Sequence, residues 1–121
     1  MNELRRQMTR GFHQTRVYTN STMAKLAKTY STCLRSLRRA GDPGRFRPAA
    51  RIAERACQQL ERAGSRMEEA VRIDSAGIDS QAEADRYNSL VQRALEGQGN
   101  AVNAFAQASA RARTIEQELA D

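Results

Sequence analysis

The chain has 121 residues and a formal net charge of +6, and 40% of its residues are hydrophobic but only 5% aromatic. Helix-forming residues dominate, while the β-branched and aromatic residues that favour strands are few, so the composition excludes a fold built mainly from β-sheet. We expect one all-α domain over residues 1–121.

Hydropathy bears on where the protein resides. No apolar run approaches the roughly 20 residues that span a bilayer, and the first residues lack the apolar core of a secretory signal. We therefore expect neither transmembrane insertion nor a secretory signal. The expected location is the cytoplasm or a macromolecular assembly.

The charge is unevenly distributed along the chain. Residues 1–51 hold twelve Lys and Arg against two acids, whereas residues 68–121 hold five Arg against ten acids. Such a layout suits an acidic partner at one end of the molecule, or contact between oppositely charged ends of two copies.

Residues 1–20 are predicted to form a basic helical segment, a weaker candidate than the helices that follow. Leu4, Met8 and Phe12 recur every four residues among several arginines. This spacing places the three apolar side chains on one helical face.

A first long helix is predicted over residues 21–40. Apolar residues recur there at alternating steps of three and four, namely Met23, Leu26, Tyr30, Cys33 and Leu37. The sequence AGDPGRFRP at 40–48 then indicates a turn, because Gly41 suits a helix C-cap, Asp42-Pro43-Gly44 favours a turn and Pro48 suits the first turn of a new helix.

A second helix is predicted over residues 48–73. The same stepping continues through Ala53, Ala56, Leu60, Ala63, Met67 and Ala70. Its outer faces separate by charge: one flank carries Glu54, Glu61 and Glu68, and another carries Arg51, Arg55, Arg62 and Arg66.

A third helix is predicted over residues 80–120, with Ser80 and Glu83 spaced as a capping box. The apolar stepping continues from there to Leu119 without a change of phase at Gly97 and Gly99, which favours one continuous helix. The alternative is a break at Gly97–Asn100 that gives four helices of similar length.

These elements predict an antiparallel bundle of three long helices, or four if the third is broken, with coiled-coil-like packing. At about 1.5 Å per residue, the third helix overshoots the end of the hairpin formed by the first two by roughly 20 Å. Exposed apolar stripes on such overhangs mark interaction surfaces. The predicted hydrophobic contacts with a partner are Leu4, Met8, Phe12, Val102, Phe105, Ile115 and Leu119.

The strongest chemical bias is a set of arginines around the predicted turn at 40–48. Arginine suits bidentate contact with phosphate or carboxylate groups. We predict that an anion or an acidic partner binds here, and we define the arginine patch as Arg35, Arg38, Arg39, Arg45, Arg47, Arg51 and Arg55.

No catalytic, cofactor-binding or metal-binding residues are predicted. His13 is the only histidine and has no acid nearby in sequence, and Cys33 and Cys57 are too far apart in sequence for a metal knuckle. The two cysteines fall at nearly level positions of the predicted hairpin, so a disulfide is one interpretation. Two reduced, mostly buried cysteines are the preferred one.

The sequence therefore indicates a non-enzymatic helical structural or adaptor protein. It is expected to act by association with other protein chains, as a homo-oligomer or as a subunit of a larger assembly. The alternative is a nucleic-acid-binding or packaging protein that uses the arginine patch. No cofactor is expected in either case.

Overall fold

A computed structural model describes residues 19–120 of the chain. The predicted basic segment at 1–20 lies almost entirely outside these residues. Within 19–120 the regular structure is helical and contains no strand, which confirms the all-α prediction. The helices are α1 (Asn20–Ser31), α2 (Cys33–Arg39), α3 (Arg47–Ala76) and α4 (Gln81–Ala120), and a 3-10 turn at Gly44–Phe46 precedes α3.

The first predicted helix, 21–40, is interrupted at Thr32, so the prediction of a single helix is wrong. The backbone N–H and the hydroxyl of Thr32 both donate to the carbonyl oxygen of Thr29, the hydroxyl at 2.8 Å. A continuous helix would use that carbonyl to accept from Cys33. Hydroxyl side chains compete for helix carbonyls in this way, and the spacing of the apolar residues does not reveal where this happens.

The third predicted helix is continuous, since α4 passes through Gly97 and Gly99 without a break. It begins as its capping residues predict: the Ser80 hydroxyl accepts from the backbone N–H of Glu83 at 3.2 Å and is hydrogen-bonded to the Glu83 carboxylate at 3.1 Å. The alternative of four similar helices broken at Gly97–Asn100 is therefore wrong.

Helices α1, α3 and α4 pack together around α3, which contacts α1, α2 and α4. No Cα atom of α1 lies within 8 Å of one in α4, so only side chains fill the space between these two helices. The buried core comprises Met23, Ala27, Tyr30, Ala63, Met67, Ala70, Ile78, Ala84, Tyr87, Val91 and Ala94.

Two close contacts fix α1 against α3. Gly64 of α3 faces the backbone of Ala27. Near the start of α1, the Asn20 side-chain amide donates to a carboxylate oxygen of Asp74, which is a buried charged residue at 8% exposure. A buried acid needs such donors because desolvation penalises the charged form.

Cys33 of α2 and Cys57 of α3 form a disulfide, so the preferred interpretation of two reduced cysteines is wrong. Their Cα atoms are 5.2 Å apart, within the usual range for this bond. Both cysteines of the sequence are used, and no free thiol remains. The bond ties the short helix α2 to the first half of α3.

Two amide oxygens at core-facing positions lack partners. The side-chain oxygens of Gln59 and Gln98 are buried and accept no hydrogen bond from the described part of the chain. Gln98 follows Gly97, where an added Cβ atom would lie 3.5 Å from the Cβ of Ala63. The contact between α3 and α4 therefore contains two buried side-chain oxygens without a hydrogen-bond donor from the described residues.

Within residues 19–120, no helix combines the length and the apolar character needed to cross a membrane.

Candidate functional site

All seven residues of the arginine patch are solvent-exposed. They are distributed over three consecutive elements: Arg35, Arg38 and Arg39 in α2, Arg45 in the 3-10 turn, and Arg47, Arg51 and Arg55 in the first turns of α3. Arg38 and Arg39 occupy the last turn of α2, where positive charge compensates the negative end of the helix dipole.

The arginine patch is almost free of acidic partners. Within residues 19–120, Arg47 is its only member in an ion pair, with 3.6 Å between its guanidinium and Asp42 Oδ1, and both side chains are exposed. Asp42 Oδ1 also accepts from the backbone N–H of Gly44 at 3.0 Å, so this carboxylate mainly holds the turn. An exposed pair of this kind contributes about 0–1 kcal/mol. The other six guanidinium groups form no ion pair with a residue of 19–120.

The sequence did not predict a groove of about 360 Å³ between α2 and the start of α3. We call it the groove, and its apolar floor consists of Leu34, Leu37, Pro43 and Ala50. Its charged rim consists of Arg38, Asp42, Arg47, Arg51 and Glu54. Three arginines of the patch therefore surround an apolar surface.

The groove exists because α2 buries little. None of the residues of α2 is fully buried, and both Leu34 and Leu37 are half-buried. Leu34 lies outside the three-four stepping of the predicted core, so its position in the sequence gave no reason to separate it from other surface residues. The available sequence signal for the groove was the pair Leu34 and Leu37, three residues apart among basic residues.

A second, more polar groove of about 370 Å³ extends the basic surface along α3. It is lined by Gln59, Arg62, Arg66, Arg93, Glu96, Gly97 and Asn100. Arg62 and Arg66 continue the flank of α3 that begins at Arg51 and Arg55, whereas Arg93 comes from α4. The sequence spacing indicated the α3 arginines but contained nothing to place Arg93 beside them.

The predicted hydrophobic partner contacts are only partly exposed. Val102 is 60% and Leu119 46% exposed, and these are the two large exposed hydrophobic residues in the described part of the chain. Phe105 is half-buried. The remaining residues of this set in the N-terminal segment, Leu4, Met8 and Phe12, lie outside the described residues.

Ile115 requires a correction, because it is only 5% exposed. Ala108, two stripe positions earlier, is also buried, at 8%. The apolar residues Ala108 and Ile115 of the predicted α4 overhang are therefore buried, not exposed. The length estimate treated the turn at 40–48 as the end of the hairpin, but the 3-10 turn at Gly44–Phe46 itself contacts α4.

Among residues 19–120, no group of three or more His, Cys, Asp or Glu side chains is placed to hold a metal ion. Comparison of the chain with protein-family models, with curated proteins and with solved structures found no match. Within residues 19–120, the features suited to contact with a partner are the groove, the arginine patch and the exposed residues of α4.

Proposed function

We propose that the protein is a non-enzymatic helical structural or adaptor component that acts by binding other protein chains, as a homo-oligomer or as a subunit of a larger assembly. The observation that carries this proposal is the groove, in which an apolar floor is bordered by a charged rim of three exposed arginines and two acids. Protein interfaces combine a desolvated apolar centre with a polar rim, and arginine is enriched in them.

The proposed architecture is an antiparallel bundle of three long helices with coiled-coil-like packing. The antiparallel direction is supported by three contacts of α1 and α2 with α3. The contacts pair Asn20 with Asp74, Ala27 with Gly64, and Cys33 with Cys57, so the residue numbers of α3 fall as those of α1 and α2 rise. Buried residues of α4 follow the alternating steps expected of a coiled-coil seam over much of its length: Ala84, Tyr87, Val91, Ala94, Ala101, Ala108 and Ile115.

The exposed apolar surface of α4 supplies further contact area in this proposal. Val102 and Leu119 are exposed, and the half-buried Phe105 lies between them in sequence. Burial of such side chains contributes about 1.5–3 kcal/mol each when it is complete. A partner that covered this surface would therefore gain hydrophobic contacts in addition to those of the groove.

The test of self-association is the mass of the pure protein in solution, measured by light scattering over a wide range of concentration at physiological salt. We expect a mass above 13.5 kDa that rises with concentration. A strict monomer at every concentration would contradict the homo-oligomer. The proposal would then require association with a different protein chain, which co-purification tests.

A second candidate function is nucleic-acid binding or packaging. It is favoured by six arginines of the patch that form no ion pair within residues 19–120, and by the continuation of the basic surface through Arg62, Arg66 and Arg93. Phosphate contacts of this kind make binding fall steeply with salt.

The second candidate is tested by fluorescence anisotropy with double-stranded DNA and single-stranded RNA at several salt concentrations. Joint replacement of Arg38, Arg39 and Arg51 by Gln should reduce the slope of log K against log salt, by about 0.9 for each duplex phosphate that is no longer neutralised. Arg72→Gln, an exposed change near the other end of α3, serves as the control. Binding that does not depend on the three arginines would eliminate this candidate.

A further inference from the structure

We propose that the groove receives the C-terminal turns of α4 from a second copy of the chain, and that two copies exchange these turns reciprocally to form a closed dimer. The inference rests on the proposed function, association with protein chains. It adds the identity of the partner and the surface that each copy contributes.

The groove defines what its occupant must look like. Leu34 and Leu37 on the floor are half-buried, so an apolar side chain placed over them would remove further apolar surface from water. Arg38 and Arg51 on the rim are exposed and have no acidic partner within residues 19–120. The rim also carries Glu54 and Asp42, the latter paired with Arg47, so its three arginines outnumber its two acids. The matching ligand is therefore a short helical segment with an apolar residue flanked by carboxylates.

The end of α4 has these properties. Leu119 is 46% exposed, and the neighbouring Glu116 and Glu118 are also exposed. Neither glutamate forms an ion pair within the described residues. The last turn of α4 contains no basic residue, so the partial negative charge at the helix C-terminus is not compensated by its own side chains.

The groove is not filled by the helix end of its own chain. No residue of α4 lines the groove, and no Cα atom of α2 lies within 8 Å of one in α4. Within residues 19–120, the end of α4 therefore does not cover the groove. The acidic helix end of a second copy is not held in place by this chain's fold, so it can enter the groove.

The two surfaces lie at the same end of the molecule. The 3-10 turn beside the groove contacts α4. Gly97 lies opposite Ala63, and counting equal lengths along both helices places Arg47, the first residue of α3, about level with residue 113 of α4. The final turns of α4 therefore extend about 10 Å beyond the start of α3.

This placement favours a closed dimer over an open chain of copies. When two molecules meet at this end around a two-fold axis, each offers a helix end to the other's groove, and both contacts form together. Such an isologous arrangement uses the same surface on both copies and closes at two. It predicts a mass that stops rising at the dimer.

The test uses two charge-reversal variants of the full chain. The groove variant carries Arg38→Glu and Arg51→Glu, and the end variant carries Glu116→Arg and Glu118→Arg. All four positions are exposed, so the helical fold should be retained, as circular dichroism would verify. The matched control, Arg72→Glu with Arg93→Glu, places two similar exposed changes away from the groove.

We expect sedimentation velocity at physiological salt to show that either variant alone raises the dimer dissociation constant at least about tenfold, because like charges then face each other in both contacts. An equimolar mixture of the two variants should restore association, because the contact between the reversed groove and the reversed end again pairs opposite charges. Leu119→Gln should weaken the dimer without a change of charge. The control should dimerise as the native chain does.

The possible failures are distinguishable. If the native chain associates but the reversals have no effect, or the mixture does not recover, the inferred surface is overturned while the proposed function stands. A mass that grows past the dimer overturns the reciprocal closure. A native chain that remains monomeric at all concentrations overturns both the dimer and the homo-oligomeric form of the proposed function.

Discussion

Gly64 of α3 lies against the backbone of Ala27 in α1. A Cβ atom added to Gly64 would be 3.3 Å from both the Cα atom and the carbonyl oxygen of Ala27. It would also meet the Cβ of Tyr30 at 3.4 Å. Because two of these neighbours are backbone atoms, the backbone of α1 at Ala27 would have to move by a few tenths of an ångström to make room. The lack of a side chain at position 64 therefore sets the spacing between α1 and α3.

Gly64→Ala should destabilise the protein despite the higher helix propensity of alanine. Overpacking of a closely packed contact typically costs about 1–3 kcal/mol, and most of that range lies above the roughly 1 kcal/mol gained from propensity. Urea unfolding followed by circular dichroism measures the difference.

The control is Gly99→Ala in α4. An added Cβ at Gly99 meets nothing within 4 Å, so this variant should gain up to about 1 kcal/mol from helix propensity alone. If Gly64→Ala were as stable as Gly99→Ala, the spacing of α1 and α3 would not depend on the glycine.

Removal of the disulfide should lower stability substantially. Cys33 and Cys57 are 24 residues apart, and closing a loop of that length stabilises the folded state by roughly 3 kcal/mol in the chain-entropy model. We expect the Cys33→Ala, Cys57→Ala double variant to unfold at a correspondingly lower urea concentration than the oxidised native chain. A mass difference of two hydrogens between the native chain before and after reduction would verify the bond. Equal stability of the oxidised and double-variant proteins would contradict the expectation.

Asn20→Ala should weaken the attachment of α1. The Asn20 amide donates to the buried carboxylate of Asp74, and loss of a hydrogen bond to a charged group costs about 1.5–3 kcal/mol. Asn103→Ala, an exposed change in α4, is the matched control and should have little effect or a slightly stabilising one. The denaturant midpoints of Asn20→Ala and Asn103→Ala are compared to measure this difference. Identical midpoints would show that the hydrogen bond does not contribute to stability.

Gln98→Met should stabilise the protein. The buried side-chain oxygen of Gln98 accepts no hydrogen bond from the described residues, and such an unsatisfied group costs about 1–3 kcal/mol. Methionine has a similar length and no polar atom that needs a partner. The same replacement at exposed Gln107 should be close to neutral. A loss of stability in Gln98→Met alone would indicate that the oxygen is hydrated.

Periodicity predicted the long helices well. The expected helices at 48–73 and 80–120 correspond to α3 and α4, because alternating apolar steps and helix caps are local features of the sequence. The break at Thr32 was not predictable in this way. It results from hydroxyl groups that compete for carbonyls, and Ser and Thr occur in intact helices as well.

The site was predictable in its charge but not in its shape. Counting arginines around the turn identified seven side chains that the structure places in solvent, whereas the groove depends on how far α2 stands from the rest of the fold. The cysteines show the same limit: their nearly level positions were visible, but the 5.2 Å between Cα atoms that permits a bond was not. Ile115 was predicted as a partner contact because helix lengths alone place it on an overhang, whereas its burial depends on tertiary packing that residue spacing does not give.

The central position of α3 has a consequence for the order in which the molecule opens. Because the backbones of α1 and α4 do not approach each other closely, α1 can separate from α3 while the longer pairing of α3 with α4 remains intact. Amide protons of α1 should then exchange with solvent through a local opening of lower free energy than those in the middle of α3. The disulfide limits how far the opened helix can travel, since it holds the chain at Cys33 just after α1 ends. Such a tethered opening would expose Met23 and Tyr30 transiently without releasing either from the neighbourhood of the core.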